Sequence, residues 1–274
     1  MMSSGCKLLI SKPKLLELLE KANQKIKEED DSKSNKKQKS LNMTLLEYSP
    51  PDATGIHNIS CIQQTICQSD IDRLIVEKNK DDAMMFFNST LLHFSFSEFS
   101  RKLGLWGNLV GLVILSTLFF TQISSSNAHN YEKSYDNVRN WYIQFDIFAQ
   151  NIIVAPIHRG YHWSVVFIVY PNSLVSDDVG NHRCAIYHLD SLKRYQLHNT
   201  EEIGFLLKQY MLSVWLDERN PRKGQFSESK MRVAIKNIPV VALSEVAQQD
   251  NGYDCGTYVS LWFKKLGEQY KDNR

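Results

Sequence analysis

The chain has 274 residues, of which 43% are hydrophobic and 23% charged, with a net charge of +2. That length supports one sizeable domain with an extension, and the near-neutral charge lacks the basic footprint of a nucleic-acid binder. Five cysteines (Cys6, Cys61, Cys67, Cys184, Cys255) occur without any Cys-x-x-Cys pair. This usage excludes a disulfide framework and a structural zinc site, and fits a reducing compartment.

Taken in chain order, the first thirty residues read as no signal peptide: a brief apolar patch runs straight into charged sequence. Residues 14–30 suit a short helix, with Leu15, Leu16, Leu18, Leu19 and Ile26 near one side. Glu28–Ser40 is a charged linker too poor in apolar residues to order itself. Its "NKKQK" reads as a solvated charge run, with a nuclear signal as the alternative. "SPPDATG" (Ser49–Gly55) breaks the chain again. Residues 1–56 are therefore expected to be a disordered extension, and 57–274 the domain.

Ser69–Phe94 reads as a helix start, an interruption at Lys78–Lys80, and a second apolar helix. Leu103–Ser126 then carries no charge, and its length suits either a bilayer span or a buried core segment. Gly104, Gly107, Asn108 and Gly111 argue against one continuous helix. From Asn151 the texture becomes β-like. Asn151–Ile157 is a short β-branched run, Gly160 supplies a turn, and Trp163–Tyr170 is apolar on both faces, as a central strand requires. Cys184–Asp190 makes a third strand. A helix runs from Thr200, as N-cap, to about Trp215, and Asn237–Leu243 is a last strand. Strands followed by a terminal helix make an α+β domain.

That terminal helix follows "QQDNGYDCG", with Cys255 at its head and Tyr258, Val259, Leu261, Trp262 and Leu266 as its apolar face. A thiol among unpaired helix N–H groups should have a lowered pKa and act as a nucleophile; the competing reading is a small buried core residue. Gly256 leaves room for a substrate backbone. A nucleophilic thiol needs a base with an orienting partner. Of eight histidines, His162 stands out at the start of the central strand, and Asp190 ends the next one. His188 competes, because it shares a strand face with Asp190. Gln249, or its neighbour Gln248, could donate to a developing oxyanion. A phosphatase loop would need arginine six residues after the cysteine, where Leu261 stands.

"GYHWS", "YHLDSL" and "QQDNGYDCGTYV", in that order, resemble the ubiquitin-like-protein-specific cysteine proteases, the SUMO (sentrin) proteases. Fainter likeness in "YDNVRNW", "LFFTQI" and "DIDRLIVEKNKDDAMMFFNSTLL" extends it over roughly 62–266. The resemblance implies a papain-like α+β cysteine protease, with a mixed sheet and the nucleophile at the N-terminus of a central helix. It implies Cys255 as nucleophile, His162 as base, Asp190 as orienting acid and Gln249 as oxyanion donor. Trp163, Gly256 and Asp82 would serve substrate binding, with Trp163 covering the tunnel for the modifier's diglycine tail. It implies no metal and no organic cofactor, and a ubiquitin-like modifier, SUMO foremost, as partner. NEDD8, ubiquitin, or a non-catalytic modifier-binding role are the alternatives. Work in the nucleus or cytoplasm is expected, and Leu118–Ile123 becomes core rather than bilayer. Two departures stand out. Asn79 occupies the place of a large apolar tunnel residue, and the glycine-rich part of 101–117 reads as an atypical insertion.

Overall fold

The computed structural model describes residues 44–48, 64–74, 86–103, 111–125, 131–141, 146–176, 183–195 and 197–272. A small antiparallel pair, β1 (Thr44–Tyr48) and β2 (Gln64–Cys67), comes first, so β pairing begins inside the span read as a disordered extension. The helices α1 (Gln68–Asp72) and α2 (Ser89–Leu103) follow. Next come β3 (Leu112–Ile114), α3 (Phe119–Ser124) and α4 (Tyr131–Asp136). The central hairpin is β4 (Ile152–Arg159) and β5 (His162–Val169). β6 (Ala185–Leu189), α5 (Thr200–Leu216), α6 (Glu228–Lys236), β7 (Val240–Ala242) and α7 (Cys255–Asp272) complete the chain.

Strands β3 to β7 form one sheet in sequence order. The inner pairs β4–β5 and β5–β6 are antiparallel, whereas the outer pairs β3–β4 and β6–β7 are parallel. The sheet is mixed, as expected. Its strands are apolar on both faces because helices cover both. Ile153, Ala155, Ile157, Val166, Ile168 and Ile186 face α3, α5 and α6. The alternate positions Ile152, Val154, Val165 and Phe167 face α2 and α7, where the rings of Phe96 and Phe263 meet at 4.7 Å. Burial removes most of the central strands from water, and their β-branched apolar side chains suit that.

The uncharged run is core, as expected, and two other details depart from the sequence reading. The uncharged run is divided: α2 ends at Leu103, β3 lies in the sheet, and α3 buries Phe119, Phe120 and Ile123. No described helix is long and apolar enough to cross a membrane. The N-cap of α5 is Asn199, whose side chain accepts from the N–H groups of Glu201 and Glu202; Thr200 is already helical. The buried stripe of α7 is Cys255, Val259 and Phe263 at successive i+4 positions, with Trp262 and Leu266 at its edge. Tyr258 and Leu261 are only half-buried.

The β4–β5 reversal takes two residues, with Arg159 paired to His162 across it. Gly160 and Tyr161 both sit at φ 59°, the positive pair that matches the twist of a tight hairpin. Tyr161 adopts this without being glycine and stands 82% exposed.

Candidate active site

Antiparallel pairing of β5 and β6 brings the start of one strand beside the end of the other. His162 opens β5 and Asp190 follows β6, and His162 Nε2 lies 2.7 Å from Asp190 Oδ1. Both are buried, at 2% and 6% exposure. The same Oδ1 accepts the backbone N–H of Leu192 at 2.8 Å. Burial alone would raise the Asp190 carboxyl; the hydrogen bonds from His162 and Leu192 outweigh it and hold the carboxyl below its usual value. An ionised Asp190 therefore fixes the ring through Nε2. The other nitrogen, Nδ1, is buried and without a hydrogen-bond partner among the described residues.

Cys255 is the first residue of α7 and fully buried. An Asx turn sets that start: Asn251 Oδ1 accepts the N–H groups of Tyr253 and Asp254, and its amide donates to the Asp254 carboxylate at 2.7 Å. The thiol meets the backbone N–H of Trp163, the residue next to His162, together with those of Gly256 and Cys255 itself. Thus the sulfur, the imidazole and the carboxylate gather at one end of the sheet. The electrostatics correct one expectation. Burial pushes the thiol up to about 11, with the Asp254 charge acting the same way, and the three N–H groups do not offset it. The Cys255 thiol is thus held in its neutral form at neutral pH.

Gln249 is buried beneath this centre. Its Oε1 accepts from the Ser191 hydroxyl at 2.6 Å and its Nε2 donates to the Asn251 carbonyl at 2.7 Å. An amide nitrogen carries two hydrogens, so one more remains for a developing oxyanion. Gln248 serves otherwise: it accepts from Lys193 N–H and donates to the Asp190 carbonyl, tying the loop before Cys255 to the loop after β6. His188 is no base here, because its nitrogens engage Ser164 and Thr200.

The expected substrate-binding set fares differently. At Gly256 a Cβ would lie 2.2 Å from Cβ of Phe87, so the glycine admits that side chain and not a substrate backbone. Trp163 is buried, donating its indole N–H to the Phe87 carbonyl at 2.7 Å and stacking on His158 at 4.2 Å. The open space beside His162 is instead a groove of about 450 Å³ walled by Phe86, Tyr161, Leu192, Tyr195 and Leu197. Asp82 and Asn79 lie outside the described residues. Sequence reasoning passed over Ser191, Asn251, Ser164 and His198. Only Asn251, four residues ahead of a helix start (255 − 251), carried a usable signal.

Nitrogen and oxygen atoms of His162, Asp190 and His198 lie within 4.8 Å of one another. Both nitrogens of His198, the Nε2 of His162 and Oδ1 of Asp190 already hold hydrogen-bond partners. Of the nitrogens of these two rings, Nδ1 of His162 is the one left without a partner among the described residues.

Comparison with known proteins agrees with this geometry. A family model described as the Ulp1 protease family, C-terminal catalytic domain, matches residues 107–269. Ubiquitin-like-specific protease 1C of Arabidopsis thaliana is 29% identical over 159 residues, covering 56% of this chain and 26% of that protein. Its relative 1D is 28% identical over 160 residues, with the same shares. The chain thus spans about a quarter of the length of these relatives. A crystal structure of a de-sumoylating protease superposes with a TM-score of 0.58 at 22% identity, covering 83% of this chain and 75% of the other. With a mixed sheet, a thiol at the head of the helix packed on it and a matching stretch of 163 residues (269 − 107 + 1), the chain belongs to the Ulp1 protease family.

Proposed function

We propose that the chain is a SUMO-specific cysteine protease, cutting after the modifier's C-terminal diglycine both in precursors and in conjugates. The carrying observation is the His162–Asp190 bond at 2.7 Å, with Nδ1 left unpartnered beside the strand whose next N–H touches the Cys255 sulfur. The names of the relatives, specific for ubiquitin-like modifiers, support the substrate class. The de-sumoylating activity of the similar structure supports SUMO within it.

In this reading His162 Nδ1 takes the thiol proton as the sulfur attacks the carbonyl carbon after the diglycine. The carbonyl electrons move to oxygen, where the second Gln249 N–H and backbone N–H groups receive them. The imidazolium, held by Asp190, returns its proton to the leaving lysine amine, and the C–N bond breaks to leave a thioester. Water, deprotonated by His162, then releases the modifier and restores the thiol. Such work belongs in the nucleus or cytoplasm.

The test is a panel of SUMO, NEDD8 and ubiquitin carrying C-terminal electrophiles. We expect a covalent adduct with SUMO that Cys255→Ser abolishes. An adduct formed only with NEDD8 or ubiquitin would move the specificity, and one surviving the substitution would remove Cys255 as nucleophile. The full burial of Cys255 favours a second reading, a non-catalytic modifier-binding module. Saturable SUMO binding without adduct would select it.

A further inference from the structure

Ser164 follows His162 by two residues on β5 and so shares its face of the sheet. Its Oγ lies 2.6 Å from Nδ1 of His198 and 2.8 Å from Nε2 of His188. His188 Nδ1 is 2.7 Å from Thr200 Oγ1, and His198 Nε2 is 3.0 Å from the Arg159 carbonyl oxygen. With both rings neutral, the one fixed end determines every direction. A carbonyl only accepts, so His198 carries its hydrogen on Nε2, and a neutral ring then presents Nδ1 as an acceptor. Ser164 must donate there. Its single hydrogen being used, His188 has to donate from Nε2, and Thr200 donates to His188 Nδ1. The four bonds run with one polarity: Thr200 to His188, to Ser164, to His198, to the Arg159 carbonyl. Both imidazoles are neutral Nε2–H tautomers in it.

The far end of this chain touches the base. The His198 ring lies 4.8 Å from that of His162, tilted by 54°. We propose that His198 is a positioning residue: the chain from Thr200 clamps it as a neutral tautomer, so that it walls the imidazole of His162 without setting a second positive charge beside it. The proposal rests on the protease reading for its kinetic part only. The titratable groups facing His198 are His162 on β5, His188 on β6, Asp190 beyond it and Arg159 on β4, itself paired with Glu202 at 2.8 Å. Lys193 shares with His198 a cavity of about 310 Å³. Burial holds His198 and His188 each down to about 4; at His198 the bond to the Arg159 carbonyl opposes this without reversing it. Both rings thus stay uncharged while His162 takes up and returns its proton. A cation 4.8 Å away would oppose that step by direct repulsion.

The first experiment needs no substrate. Nitrogen-15 NMR of the full chain, labelled at histidine, should show His188 and His198 as Nε2–H tautomers at neutral pH, uncharged down to about pH 5. Ser164→Ala should release both from a single tautomer. An Nδ1–H form of His198, or its protonation near pH 6.5 in the folded protein, overturns the clamp whether or not any modifier is cleaved. The second experiment is kinetic, on SUMO precursor. His198→Ala should lower kcat about tenfold, with KM moved less than about twofold, because the base loses its wall and not its substrate. His198→Gln keeps an N–H for the Arg159 carbonyl and cannot charge, so it should recover most of kcat with the acid limb of the pH profile unmoved. Equal loss in both variants, with both folded, overturns the positioning role. Absence of cleavage by the unaltered chain would count against the protease reading and leave the tautomer result to decide the clamp.

Discussion

Replacing Gly256 by alanine tests the packing that seats Cys255. The added carbon would lie 2.2 Å from Cβ and 2.7 Å from Cγ of Phe87, well inside contact distance. Neither neighbour can swing away cheaply: Gly256 is in the first turn of α7, and the clash falls at the root of the Phe87 side chain. If Phe87 retreats, its carbonyl leaves the Trp163 indole N–H, now 2.7 Å away. Overpacking costs about 1–3 kcal/mol, and the indole hydrogen bond adds about 1 kcal/mol, so a total of about 2–4 kcal/mol is expected. Denaturant unfolding of Gly256→Ala against the parent reads this as a lower midpoint at unchanged slope. Adding Phe87→Gly removes the Cβ that the new methyl meets, so the double variant should lose less than the two single losses together. Full stability in Gly256→Ala, or strict additivity in the double variant, would refute the claim that this glycine exists to admit Phe87.

Asp190→Asn should keep the fold but remove the charge opposite His162, lowering kcat by about 10⁴-fold with little change in KM, as read from initial rates on SUMO precursor. The raised thiol makes a third prediction. Iodoacetamide inactivation should accelerate steadily with pH up to about 11, because only the thiolate reacts and burial disfavours it. A rate plateau near neutral pH would show instead a standing thiolate–imidazolium pair.

The sheet and the reactive centre were legible to different degrees. β4, β5 and β6 announce themselves because continuous β-branched runs are what a strand covered on both faces requires. His162 and Asp190 could be found because strand ends and motif order point to them. β3 could not, since three residues within an uncharged run carry no period of their own. The burial of Cys255 was one of two readings its position allowed: helix-start position predicts a lowered thiol pKa, and the surrounding α2 and β5 side chains reverse it. Gly256 shows the same limit. A glycine after a cysteine reads as space for a ligand, whereas the space is filled from Phe87, far away in sequence. The histidine chain through Ser164 depends on three separate segments meeting, which no local pattern encodes.

The Gly160–Tyr161 reversal leaves no slack between two neighbouring strands, and His162 is the first residue after it. A slip by one position would exchange the two faces of β5, sending the imidazole where the indole now lies. Loss of alignment in this hairpin and loss of chemistry are therefore a single event. A hairpin that has slipped also loses the His162–Asp190 hydrogen bond, so register and that pairing are won or lost together.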